Sequence, residues 1–332
     1  FAADVVPREV FTAMWVCSER LAARNRRMTQ ELVRLIAALE SAGIPALPYK
    51  GPALAQSLYG DVALREFADL DLLLRARDVP RAHELLEALG YLPEHPLAPQ
   101  ARAAVLASTS QYHLALMHRG GDIMVEIHWK TDARAPVEAS LQPAWWRRAP
   151  DALLADVSVR SFAPSERLLV LCIHGSKHHW ASIGWLVDVA ELLRREPRFD
   201  AEWMLAAARR FGSERKLALG LRLARDLLDA PLPERLESLV ISHPELDGIA
   251  ARILQLALDP HARAVGVFER LKLDLSLLDR MGDRLGHAFD VVFAPTLEER
   301  NSQELRLAHY PRRLVRLLRK HAPAGDHFGG HK

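Results

Sequence analysis

Residues 45–74 read PALPYKGPALAQSLYGDVALREFADLDLLL, and no other stretch of the chain says as much about its fold. A short apolar run with two prolines leads to the turn Lys50-Gly51-Pro52, and a helical pattern, ALAQSLYG, follows. The chain returns as Phe67 to Leu74, an apolar run interrupted only by the carboxylates Asp69 and Asp71. Side chains at i and i+2 of a strand share one face, so the two acids project side by side. Adjacent carboxylates repel and raise each other's pKa, and a stable protein holds such a pair when cations neutralise it. The stretch therefore predicts a strand, a turn, a helix and a second strand that carries a divalent-metal site for phosphate chemistry.

Working outward, residues 8–42 place Phe11, Met14 and Trp15, then Leu32, Leu35, Ile36 and Leu39, at helical spacing before a glycine stop at Gly43. One or two amphipathic helices are expected there. Downstream, Asp78 is expected to cap a helix over 79–89, with Pro80 in its first turn. Residues 111–118 and 122–129 flank Arg119-Gly120-Gly121, a β-hairpin pattern. A strand is expected over 156–162, after a Trp145-Trp146 loop. From Pro164 helical periodicity dominates, broken at Pro197, Gly212, Pro231, Pro233, Pro244 and Pro260. The chain is thus expected to be α+β: a small mixed-sheet domain with N-terminal helices over 1–160, then an all-helical domain over 161–332.

The 332 residues carry a formal charge of +2, with 49% hydrophobic and 26% charged residues. These are ordinary values for a globular chain, and a near-neutral charge argues against broad nucleic-acid binding. One segment, Arg306 to Lys320 (RLAHYPRRLVRLLRK), is strongly basic and reads as a solvated or anion-facing helix end, with contact to nucleic acid or acidic lipid as the alternative. No apolar run approaches the length of a membrane span. The two cysteines, Cys17 and Cys172, lie in apolar helical patterns without metal spacing, as expected of reduced core residues in a cytoplasmic protein.

A third carboxylate joins the pair. In Ile123 to Trp129, Glu126 and His128 share one strand face and Val125 and Ile127 the other. Three carboxylates on neighbouring strands match the needs of two-metal phosphoryl transfer, with ions roughly 3.5 to 4 Å apart. Mg²⁺ suits such a site because it takes oxygen ligands and keeps several waters and phosphate oxygens. Gly51, at a strand-to-helix turn, lets backbone N–H groups approach a phosphate, and Lys50 adds a positive charge beside it. Arg65 reads as an anchor for a site carboxylate or as a phosphate contact. In the helical part, CIHGSKHHW (172–180) and GWLVD (184–188) concentrate polar groups in a helix that should be buried. His174 and His178 have zinc-compatible spacing, but Gly175 stands where an HExxH motif needs glutamate, and no cysteine is suitably placed. Lys177 is expected to reach a triphosphate. Trp185 stacks on a base or fills the core, and Asp188 bonds a ribose or orients a neighbouring side chain.

Taken together, LPYKGPALAQSLYGDVALREFADLDLLL, VEIHW, IHGSKHHWASIGWLVDVAELL and the tail FAPTLEERNSQELRLAHYPRRLVRLLRK resemble the bacterial uncharacterised nucleotidyltransferase family of the polymerase-β-like superfamily. Its members often accompany peptide natural-product genes, lasso-peptide clusters included. The resemblance spans roughly residues 30 to 320 and implies a small mixed sheet whose nucleotide cleft is closed by a helical domain. It implies Asp69, Asp71 and Glu126 as metal ligands, with Glu126 facing the acceptor hydroxyl. Lys50 and Gly51 stand at the phosphate turn, where the superfamily has Gly-Ser. Lys177, His178 and Asp188 fall on the helical motif, and His128 and His174 flank these positions. Glu126 departs from the commoner aspartate by one methylene. The implied activity is Mg²⁺-dependent transfer of NMP from an NTP to a hydroxyl or phosphate, with Mn²⁺ as a substitute ion. The rival expectations are a DxD glycosyltransferase using a nucleotide sugar and a non-catalytic nucleotide- or peptide-binding module.

Overall fold

The computed structural model describes residues 6–96, 99–108, 111–132, 146–196, 198–258 and 266–293. The basic segment Arg306–Lys320 lies outside them. The architecture is α+β: an N-terminal helix, a mixed five-stranded sheet, and a largely helical remainder. No described helix is long and apolar enough to cross a membrane.

Helix α1 (Arg8–Ser41) is a single element. Its second half presents Met28, Leu32, Leu35, Ile36 and Leu39 to the core at i, i+3, i+4 and i+7 spacing. No residue of α1 before Ala22 is buried: Met14 is 62% and Trp15 60% exposed, and Cys17 is exposed. The core role expected of Cys17 is therefore corrected, because helical periodicity reports a shared stripe and not what covers it. Cys172 is buried as expected.

Strand β1 (Leu47–Pro48) is an edge, where proline costs no ladder bond. It leads into α2 (Gly51–Tyr59), which stops at left-handed Gly60. After a 3₁₀ turn comes β2 (Asp69–Leu73), then α3 (Val79–Ala88), β3 (Tyr91–Pro93) and α4 (Pro99–Leu106). Asp78 occupies the N-cap position of α3 but its side chain makes no capping hydrogen bond. The expected hairpin is β4 (His113–His118) with β5 (Met124–His128). The sheet order is β1-β2-β5-β4-β3, parallel only between β2 and β5. Register pairs Asp71 with Glu126 and Leu73 with His128, and across the hairpin His128 with His113.

Because side chains alternate across a strand, one sheet face is apolar and the other carries the acids. Leu70, Leu72, Leu74, Leu114, Leu116, Val125 and Ile127 pack under α1 and α3 with Val79, Ala82 and Leu86. The expected strand over 156–162 is shorter, β7 (Val157–Arg160), and pairs with β6 (Asp151–Leu154) in a separate hairpin. Asp156 belongs to its turn, at φ +63°.

The helical part comprises α5 (Pro164–Lys177), α6 (Ile183–Arg195), α7 (Ala201–Phe211), α8 (Glu214–Leu228), α9 (Glu234–Ile241), α10 (Asp247–Leu258), α11 (Val267–Ser276) and α12 (Met281–Phe293). Its core continues into the first half of the chain: Leu47, Tyr49, Leu54, Leu58 and Leu73 pack with residues of α5 to α8. Arg167 of α5 donates to Ser57 of α2 at 2.9 Å, to Ser161 at 3.1 Å and to the Phe162 carbonyl at 2.9 Å. The acid-bearing face of the sheet is thereby held opposite α5 and α6.

Candidate active site

The β2–β5 register sets the chemistry. Asp71 lies beside Glu126 on the neighbouring strand, Asp69 is two residues back on the same face, and His128 is two residues on from Glu126. Lys50 Nζ meets Asp71 Oδ1 at 2.8 Å, with both side chains buried. His128 Nε2 lies 3.1 Å from Asp71 Oδ1 and 2.9 Å from Glu126 Oε2. Burial pushes the Asp71 carboxyl up, but the Lys50 ammonium and the His128 ring outweigh it and hold the group well below the usual carboxylate range. Asp69 has no such partner, so burial and the charge of Asp71 push it up to about 6. Glu126 is held down, its burial outweighed by the bond to His128.

This donor set fits a hard divalent cation. One carboxylate oxygen each from Asp69, Asp71 and Glu126 lie within 4.8 Å of one another, and Asp71 Oδ2 is buried without a hydrogen-bond partner. A buried carboxylate oxygen left unpaired is costly, and an oxygen-seeking ion would satisfy it.

Gly51 ties the turn to the acid strand. Its φ of +54° is a conformation L side chains rarely adopt, and a Cβ there would stand 3.2 Å from the Asp69 carbonyl oxygen. Lys50, read from sequence as a phosphate contact, has its ammonium on Asp71.

The facing wall comes from α5 and α6. Lys177 Nζ sits 4.3 Å from the centre of the Tyr112 ring, and burial together with the charge of Lys50 lowers its pKa to about 8. His174, His178 and Trp185 form one aromatic cluster with centroid separations of 4.7, 5.0 and 5.4 Å. Burial and the neighbouring lysines hold both histidines neutral, His178 at about 4. Asp188 is fully engaged within the protein. Arg65 Nε and Nη2 donate to its two oxygens at 3.0 and 2.9 Å, and the Tyr59 hydroxyl donates to Oδ1 at 2.9 Å.

The rest of the motif between Gly175 and Trp180 is explained by packing. His179 and Trp180 both adopt φ +52°, which folds the Trp180 ring back over the helix. A Cβ on Gly175 would fall 2.3 Å from that ring, and one on Gly220 of α8 would fall 2.9 Å from it.

The acids, the Lys50–Gly51 turn and the facing wall line a cleft of about 840 Å³. The structure gathers Lys50, Gly51, Arg65, Asp69, Asp71, Glu126, His174, Lys177, His178, Trp185 and Asp188 around it, while His128 is buried behind the acids. Sequence reasoning passed over His113 and Tyr112, which line the cleft together with Tyr59. His113 Nε2 is 3.7 Å from Glu126 Oε1, and burial beside His128 lowers its pKa to about 4. The hairpin register was the available signal, since it sets His113 directly across from His128.

Residues 2–229 match the family model described as uncharacterised nucleotidyltransferase. None of the curated proteins matches the chain. Among solved structures the chain is similar to the lincosamide antibiotic adenylyltransferase LnuA in its lincomycin-bound crystal structure, at 19% identity and TM-score 0.35, over 49% of this chain and 94% of that one. It is similar to the antibiotic-resistance factor ANT(2'')-Ia at 17% identity and TM-score 0.34, over 65% of this chain and 96% of that one. A third likeness is to an antigenic nucleotidyltransferase-like protein from Paracoccidioides brasiliensis, at 14% identity and TM-score 0.35, over 69% and 92%. Overlaps of this size carry no residue roles across.

Proposed function

This chain belongs to the uncharacterised nucleotidyltransferase family, and we propose that it transfers a nucleoside monophosphate from an NTP to a hydroxyl or phosphate of an acceptor. The observation that carries this reading is the convergence of Asp69, Asp71 and Glu126 at the foot of a cleft whose far wall bears Lys177 and the His174–His178–Trp185 cluster. The acceptor oxygen forms a bond to the α-phosphorus, the bond from that phosphorus to the bridging oxygen breaks, and pyrophosphate leaves with the electron pair. Asp69, Asp71 and Glu126 would hold Mg²⁺. Bound there, the ions supply neutralisation of the triphosphate and polarisation of the attacked phosphate.

The protein's own residues do the remainder. Glu126, hydrogen-bonded by His128, orients the acceptor hydroxyl and takes its proton. Gly51 and the N-terminus of α2 receive phosphate oxygens, and Lys177 places a cation across the cleft. Trp185 offers a stacking face for the base. Residues 1–160 carry the catalytic acids, and the helical part from 161 closes the cleft. Positioning and preorganised charge supply most of the rate in such a reaction. The acceptor class is a peptide natural product or other small molecule.

The test is incubation with each α-labelled NTP, Mg²⁺ and candidate acceptors, followed by mass spectrometry for added NMP. Asp69→Ala and Asp71→Ala are expected to lower transfer about 10²- to 10³-fold, the scale of losing a principal electrostatic contributor. Transfer that persists in both variants overturns the assignment. So does thermal stabilisation by nucleotide sugars but not by NTPs.

A further inference from the structure

The sheet face that carries the acids also carries two imidazoles. His113 and His128 are directly paired across the β4–β5 hairpin, and Glu126 precedes His128 by two residues on the same face. The two rings stack with centroids 5.1 Å apart and planes 19° apart. His128 Nε2 is 2.9 Å from Glu126 Oε2, and His113 Nε2 is 3.7 Å from Glu126 Oε1. One donor atom from each of the three lies within 4.8 Å of the others. Tetrahedral zinc, with ligand bonds of about 2.0 to 2.2 Å, sets its donors roughly 3.3 to 3.6 Å apart. The three side chains thus need only small rotations to meet around one ion.

We propose that His113, His128 and Glu126 form a second metal site that takes a transition ion of the Zn²⁺ class, and that this site shares Glu126 with the acid set. The chemistry of the donors separates the two. Asp69, Asp71 and Glu126 offer oxygen alone, which suits Mg²⁺, whereas two imidazoles and a carboxylate favour zinc, cobalt or copper over magnesium. The site has three protein ligands and opens on the cleft through His113 and Glu126, which leaves a coordination position for water or a ligand oxygen. Ion binding here does not depend on the proposed reaction. Its consequence does rest on that reading: an ion held by the histidines draws Glu126 away from the acid set, so zinc inhibits the magnesium-supported transfer.

Cobalt reports this site directly, because Co²⁺ held by nitrogen and oxygen in four- or five-fold coordination absorbs far more strongly in the visible than the hydrated ion. The full chain, without nucleotide, is titrated with Co²⁺ and then with Zn²⁺. A visible band is expected to saturate near one ion per chain and to be bleached by Zn²⁺. His113→Ala and His113→Gln are expected to weaken Co²⁺ binding at least about tenfold, the lower end of what such sites lose when their metal environment is altered. Asp69→Asn should leave it within twofold. Far-ultraviolet circular dichroism checks that each variant is folded. No saturable band, or an affinity unmoved by either His113 variant, overturns the site. Loss of the band in Asp69→Asn to the same degree also overturns it, by assigning the ion to the acid set. A chain that binds cobalt as described but transfers no NMP retains the site and loses the proposed function. Transfer without the band does the reverse.

Discussion

Asp71 has lost its contact with water and meets Lys50 at 2.8 Å, while Asp69, two residues away on the same face, has no cation of its own. The two acids should therefore respond to neutralisation with opposite signs. Asp69 has a folded-state pKa of about 6, above its unfolded value of about 3.9. The folded state then holds the extra proton between about pH 4 and 6, and stability from this group is present below that window and lost as pH rises through it. In EDTA at pH 7, Asp69→Asn should raise stability on the order of 1 to 2 kcal/mol, an advantage that vanishes near pH 4. Asp71→Asn strands the Lys50 ammonium in a buried site and should cost about 3 kcal/mol. Thermal melts of the two variants across pH check both signs, and equal shifts would refute the asymmetry. Lys177 makes a third residue-scale case. With its pKa lowered to about 8, it is charged below that pH and neutral above. NTP affinity, read by calorimetry, should weaken as pH rises past about 8 in the wild type and stay level in Lys177→Arg. The acids were legible because charge inside an apolar run is a strong signal. Lys50's partner was not, since a strand-to-turn lysine gives no hint in sequence of which carboxylate it will meet.

At the scale of elements, the motif from His174 to Trp180 combines two tasks that its residues do not announce. Lys177, His174 and His178 face the cleft, whereas Gly175 exists to admit the Trp180 ring between α5 and α8, with Gly220 serving the opposite side. Gly175→Ala places a methyl group 2.3 Å from that ring, and overpacking of this kind should cost about 3 kcal/mol in urea denaturation. Combining it with Trp180→Phe should recover part of the loss, a non-additivity that marks direct contact. If Gly175→Ala melts like the wild type, the packing role is wrong. The strand with the acids and the β4–β5 hairpin were readable from alternation and glycine turns. The short strands β3 and β6 were not, because three or four residues hold too little of a two-residue period to stand out. The first turns of α1 misled in another way. Phe11, Met14 and Trp15 keep helical spacing while remaining exposed, so their periodicity identified the helix and said nothing of the core.

Across the whole molecule, a contact that joins the two walls of the cleft is Arg65 with Asp188, residues separated by 123 positions. The sequence offered Arg65 as a carboxylate anchor or a phosphate contact and Asp188 as a ribose contact or an orienting group, and spacing alone had no means of pairing them. Arg65 lies just after the 3₁₀ turn that follows α2, and Asp188 is buried in α6. Their two-pronged hydrogen bond, completed by the Tyr59 hydroxyl, fastens the acid-bearing half to the wall that carries Lys177 and Trp185. Such a pair is nearly neutral when replaced as a whole but expensive to break from one side, because the survivor keeps its charge without a partner. Arg65→Met and Asp188→Leu should each destabilise by about 3 kcal/mol, and the double variant by far less than their sum. Urea denaturation of the four proteins gives the coupling energy. Calorimetric NTP binding then separates fastening from direct contact. A clamp that only positions the walls predicts that the stable double variant binds NTP more weakly through a looser cleft while retaining the wild-type stoichiometry and the Mg²⁺ dependence proposed above. Additive single costs, or wild-type affinity in the double variant, would show that the halves are held together by the shared core around Leu54, Leu58 and Leu73 and not by this pair.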